Sequence, residues 1–116
     1  MKINIEEEIS GHRQRDEMLR QSLRVKGVDL GEQRSVELHF WAFNKRDAVM
    51  RAKALYDDGL LVLALAPVPN VEDERWNVEA GAKDSVEHLT SEGPVRKFVE
   101  LAAKYNAKYD GWGTLV

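Results

Sequence analysis

The chain has 116 residues, enough for one domain around a single core and too few for two. Hydrophobic residues at 43% and charged residues at 32% describe a chain that folds, and 17 Lys and Arg against 20 Asp and Glu leave a net charge of -3, which excludes a general phosphate-binding field. With no cysteine, disulfides, thiolate metal centres and cysteine nucleophiles are excluded together.

Glu6, Glu7 and Glu8 stand where a secretory leader would need positive charge. The longest apolar stretch, residues 60–68, is far short of the ~20 residues that cross a bilayer as helix. The expectation is a cytoplasmic protein without membrane contact, a single domain over residues 1–116 with an N-terminal helix (1–26) ahead of an α+β part (35–116).

From residue 4 to 24, Ile5, Ile9, His12, Asp16, Leu19 and Leu23 recur at steps of four and three, which places them on one helix face. His12 and Asp16 make that face only weakly apolar. Acids lead and bases follow along this stretch, as the helix dipole favours. Gly27 and Gly31 then mark a linker or turn.

Val36, Leu38, Phe40 and Ala42 alternate with Glu37, His39, Trp41 and Phe43, a strand by its period of two. Its second face ends in two aromatic rings that need cover, for which the N-terminal helix is the candidate. Asn44 is placed to cap a helix over about 45–58, with Ala48, Val49, Ala52, Leu55 and Tyr56 as its apolar positions and Gly59 as its stop. Residues 60–66 are a continuous apolar run of strand length, ended by Pro67 and Pro69, and both its faces ask for cover. A second copy of the chain is one candidate for that cover.

Trp76, Val78, Ala80 and Ala82 alternate with Asn77, Glu79, Gly81 and Lys83 as a third strand. Pro94 suits the first turn of a helix over about 94–106, capped by Ser91 or Gly93, with Val95, Phe98, Val99, Leu101, Ala102 and Tyr105 facing inward. A short strand begins at Ala107, and the residues after Tyr109 read as a tight turn. The order from Ser35, strand, helix, strand, strand, helix, strand, predicts an α+β ferredoxin-like fold: a βαββαβ antiparallel sheet carrying an extra N-terminal helix. Val36, Leu38, Phe40, Leu55, Val62, Trp76, Val78, Phe98, Leu101 and Ala102 are its predicted core.

The closing helix followed by Tyr109, Asp110, Gly111, Trp112 and Gly113 resembles the end of the ribonuclease E inhibitor family RraB. The resemblance implies a small ferredoxin-like regulator that binds ribonuclease E and modulates RNA turnover without catalytic chemistry or a cofactor. The first helix is mixed in charge where that family tends to be acidic. Read from the residues alone, Tyr109 and Trp112 close one end of the core while Asp110 holds an Asx-type turn. Contact with a partner is the other reading of the same motif.

The three histidines, 12, 39 and 88, lack the spacing of a zinc motif, so no metal site is expected. No serine sits in the Gly-x-Ser-x-Gly elbow of a hydrolase. Glu37, His39 and Trp41 share one strand face, and Glu79 lies opposite if the first and third strands pair. Such a cluster suits acid–base work or small-molecule binding. The leading expectation is a non-enzymatic regulator that binds a protein and not nucleic acid. A ligand-binding or catalytic domain using the Glu37, His39 and Glu79 face, and an immunity or adaptor module, stand as alternatives.

Overall fold

The computed structural model describes residues 3–115. Its elements follow the order α1 (Ile5–Val25), β1 (Arg34–Ala42), α2 (Lys45–Asp57), β2 (Leu61–Pro67), β3 (Trp76–Asp84), α3 (Val86–Leu89), α4 (Glu92–Lys104) and β4 (Ala107–Thr114). The strands form one antiparallel sheet in the order β2-β3-β1-β4, which is the split βαβ arrangement the element order predicts. None of the helices among the described residues is long and apolar enough to cross a membrane.

Local chemistry sets several boundaries. The Asn4 side chain accepts from the Glu7 amide at the start of α1, and Asn44 accepts from the Asp47 amide at the start of α2. Gly59, at φ 87°, follows the end of α2 in a conformation that costs glycine little. Ser91, one of the two predicted caps, takes the N-cap position of α4, which begins two residues before the expected start at about 94, and its hydroxyl donates to the His88 carbonyl of α3. The short helix α3, capped by Ser85, was not predicted; four residues are too few to show a period.

The helices share one face of the sheet. Val36, Leu38, Phe40 and Ala42 of β1 and Val78 and Ala80 of β3 are buried there against Ala48, Leu55, Val95, Val99 and Ala102. Of the predicted core, Val36, Leu38, Phe40, Leu55, Val78 and Ala102 are fully buried. Val62, Trp76, Phe98 and Leu101 are only half-buried: Val62 is on the outermost strand, Trp76 is the first residue of β3, and Phe98 and Leu101 are on α4. Along α2 the buried face is Ala48, Arg51, Ala52 and Leu55, whereas Val49 and Tyr56 face solvent. The helical stripe is rotated by a residue because the Arg51 guanidinium lies over the Phe40 ring, 4.4 Å from its centre.

The apolar run of β2 is an edge strand, and Leu61, Leu63 and Leu65 remain exposed rather than covered on both faces. The first helix lies beside α4 and against β4 on the helix side. Ile9 joins the core, and Glu6 grips the Arg96 guanidinium with both oxygens, at 2.7 and 3.1 Å. It therefore does not cover Trp41 and Phe43. Trp41 is flanked instead by Phe43, edge-on at 4.7 Å, by the Arg75 guanidinium at 4.1 Å and by Lys108 at 5.7 Å.

The residues after Tyr109 continue β4 instead of forming a turn. Phe40 pairs with Tyr109 and His39 with Gly111, so Asp110 is an extra residue in a β-bulge. Gly111 takes φ 119° at this bulge. Asp110 is exposed there and holds no Asx turn.

Candidate functional site

Two groups of residues singled out by their sequence pattern lie on opposite faces of β1 and β4. On the helix side, the bulge lets Tyr109 and Trp112 both point toward the core, beside Phe40 and Leu38. Tyr109 is buried among the rings of His12, Phe40 and Phe98, at centroid distances of 4.7, 5.3 and 5.2 Å. Burial, with Asp16 nearby, pushes its hydroxyl well above the ordinary tyrosine value.

The polar residues of α1 explain why its stripe could be weakly apolar and still dock. His12 Nε2 donates to the Tyr109 carbonyl at 2.8 Å, and Arg15 Nη2 donates to His12 Nδ1 at 3.2 Å. That pair of bonds fixes a neutral tautomer. Burial, followed by the charge of Arg15, holds the His12 imidazole below its ordinary value. One turn further on, Asp16 Oδ1 accepts from the Trp112 indole at 2.8 Å. Burial raises the Asp16 carboxyl, and the indole bond opposes that rise. Sequence reading missed this partnership across 96 residues of chain, although two polar groups four apart on a buried stripe were its signal.

Among the described residues, no helix covers the opposite face of the sheet. Glu37, His39 and Trp41 project from it along β1, and Glu79 of β3 stands directly across from His39. The structure thus brings Glu37, His39 and Glu79 together: His39 Nε2 lies 3.7 Å from Glu37 Oε2, and Nδ1 lies 3.5 Å from Glu79 Oε1. Trp41, one position further along this face, belongs with Arg75 and Lys108 rather than with the carboxylates.

Glycines keep the surroundings of this cluster low. Gly81 of β3 and Gly113 of β4 flank Glu37, and Gly111 of β4 flanks His39. Glu37, Gly81 and Gly113, with Leu61 and Leu63, line a groove of about 750 Å³ at the end of the sheet. The two glycines of the terminal motif therefore shape the open face, while its Tyr and Trp serve the covered one.

A family model described as regulator of ribonuclease activity B, RraB, matches residues 13–114. The match begins inside α1 and ends on the last residue of β4, so it takes in the whole sheet and all of its covering helices. No curated protein matches the chain.

Proposed function

We propose that this chain, which belongs to the RraB family of regulators of ribonuclease activity, acts by binding its target nuclease and not by chemistry of its own. The observation that carries the reading is the family match over residues 13–114, which includes the sheet, its helices and the Tyr109–Gly113 motif. Ribonuclease E is the candidate target, and the cytoplasm is the compartment in which the two would meet. Two features support a contact role for the open side of the sheet: α1 and α4 already occupy the other side, and Leu61 and Leu63 are exposed beside the open-face groove.

The test is a titration of the purified chain into ribonuclease E cleaving a defined RNA, with association measured in parallel by calorimetry. The reading requires a dose-dependent change in cleavage rate together with binding, and no RNA cleavage by the chain alone. Unchanged cleavage and no association with the nuclease of its own host would remove ribonuclease E as the target.

A further inference from the structure

Glu37, His39 and Glu79 come from two paired strands, His39 and Glu79 as direct cross-strand partners and Glu37 two residues before His39 on the same face. One carboxylate oxygen from each glutamate and one imidazole nitrogen lie within 4.8 Å of one another. It is the only such group of three among the described residues. We infer that these three side chains form a binding site for a divalent transition-metal ion of the zinc type on the open face of the sheet.

The donor set suits that class of ion. One imidazole and two carboxylates favour zinc, iron or nickel over magnesium and calcium, which prefer oxygen alone. Metal–ligand bonds of about 2.0–2.2 Å put neighbouring ligand atoms roughly 3.3 Å apart in a tetrahedral site. The two carboxylates approach different imidazole nitrogens, Glu37 at Nε2 (3.7 Å) and Glu79 at Nδ1 (3.5 Å), so an ion held by one nitrogen finds one glutamate nearly in place and needs the other to swing toward that same nitrogen from within 4.8 Å. The remaining adjustment is rotation of glutamate side chains that are partly in solvent, on a backbone held by strand pairing.

Space for an ion is the second, independent observation. A Cβ placed on Gly113 would stand 3.6 Å from His39 Nε2, and no other atom meets it within 4 Å. Gly111 offers no side chain opposite His39 either, and a Cβ there would meet nothing within 4 Å. The imidazole nitrogen nearest Glu37 is thus left uncovered by the neighbouring strand. With three protein ligands, at least one coordination position would remain for water or for a partner's side chain. The absence of a zinc spacing along the chain did not point here, because these ligands meet across strands.

The inference is independent of the nuclease-binding proposal. Its test uses the tag-free chain, stripped with chelator, dialysed against zinc and assayed for bound metal, with calorimetry for stoichiometry. One zinc ion per chain is expected, undiminished by excess magnesium. His39→Ala should weaken binding at least about tenfold. Glu37→Gln and Glu79→Gln should each weaken it too, and they preserve side-chain size, so their loss of zinc is not a loss of fold. His88→Ala is the control, since His88 pairs with Asp84, away from the three ligands, and should keep full binding. A chain that holds no zinc, or zinc binding that survives His39→Ala, overturns the inference.

Discussion

The Trp112 indole donates to Asp16 Oδ1 at 2.8 Å, tying the last strand to the first helix across nearly the whole length of the chain. Asp16 is buried, and among the described residues its other oxygen, Oδ2, has no partner, so the indole is the one hydrogen bond its side chain makes there. Removing that donor leaves a buried carboxylate unsatisfied. Trp112→Phe, which keeps an aromatic ring, should therefore cost about 1–3 kcal/mol of stability in urea unfolding, the penalty for orphaning a buried acceptor. Trp112→Phe in an Asp16→Leu background should cost clearly less, since no carboxylate then remains to be orphaned. Equal costs in both backgrounds would mean that ring packing, and not the hydrogen bond, holds α1.

His12 gives the fold a dependence on pH. Its imidazole is neutral in the fold and held below the ordinary value of 6.5 by burial and then by Arg15. The unfolded chain therefore binds more protons than the folded one in the window just below 6.5. Stability from this group is fully present above 6.5 and is lost as pH falls through the folded-state value. Asp16 acts in the opposite sense: its raised carboxyl is protonated more readily in the fold, so acidification toward 3.8 relieves its burial. Melting temperature should thus fall between pH 7.5 and 5.5. His12→Gln, whose amide can still donate to the Tyr109 carbonyl, should flatten that fall; an unchanged slope would assign it to other groups.

Among the described residues, Arg51 is a buried charge without an ion-pair partner. The residue is 1% exposed, Nε and Nη1 make no hydrogen bond, and burial lowers its ordinary value to about 10, so it remains charged at neutral pH. Stacking on Phe40 offsets part of the desolvation cost. Arg51→Met keeps the length of the stem and removes the charge, and it should leave stability unchanged or raise it by about 1–2 kcal/mol. Arg51→Ala should instead destabilise, because the stem's volume would be left empty over Phe40. Denaturant unfolding of the two variants separates charge from volume, and a loss with Arg51→Met would show that the guanidinium is bonded in solution.

What the sequence disclosed was what local chemistry decides. The period of two in β1, the Asn44 cap and the Gly59 stop all act within a few residues, and each is found where the pattern placed it. Strand order followed from the succession of elements, and with it the neighbourhood of His39 and Glu79, outward positions on strands that this topology sets side by side. The errors fell where a distant neighbour decides. Glycines at 111 and 113 read as a turn, but a bulge exists only relative to the strand it pairs with. An all-apolar run carries no mark of which face is buried, so the exposure of Leu61, Leu63 and Leu65 was not legible although the strand order already made β2 an edge. Arg51 reads as polar until Phe40 lies beneath it, and Asp16 reads as a flaw in the stripe until Trp112 arrives.

The two glycines of the terminal motif should respond differently to the same substitution. Gly111 sits at φ 119°, where an L side chain is strained, although a Cβ there would meet nothing within 4 Å. Gly111→Ala should therefore cost about 1–3 kcal/mol purely through the backbone, and weaken the bulge that aims Trp112 at Asp16. Gly113 is outside that conformational region, and an added Cβ would make only ordinary contact, 3.6 Å from His39 Nε2. Gly113→Ala should stay within roughly 0.5 kcal/mol of the parent. Thermal unfolding of the pair measures the difference, and amide exchange along β4 locates it, since only Gly111→Ala should loosen the strand between Tyr109 and Trp112. Equal effects at both positions would mean that β4 does not hold the bulge in solution, and that the register placing Tyr109 and Trp112 on one face is wrong.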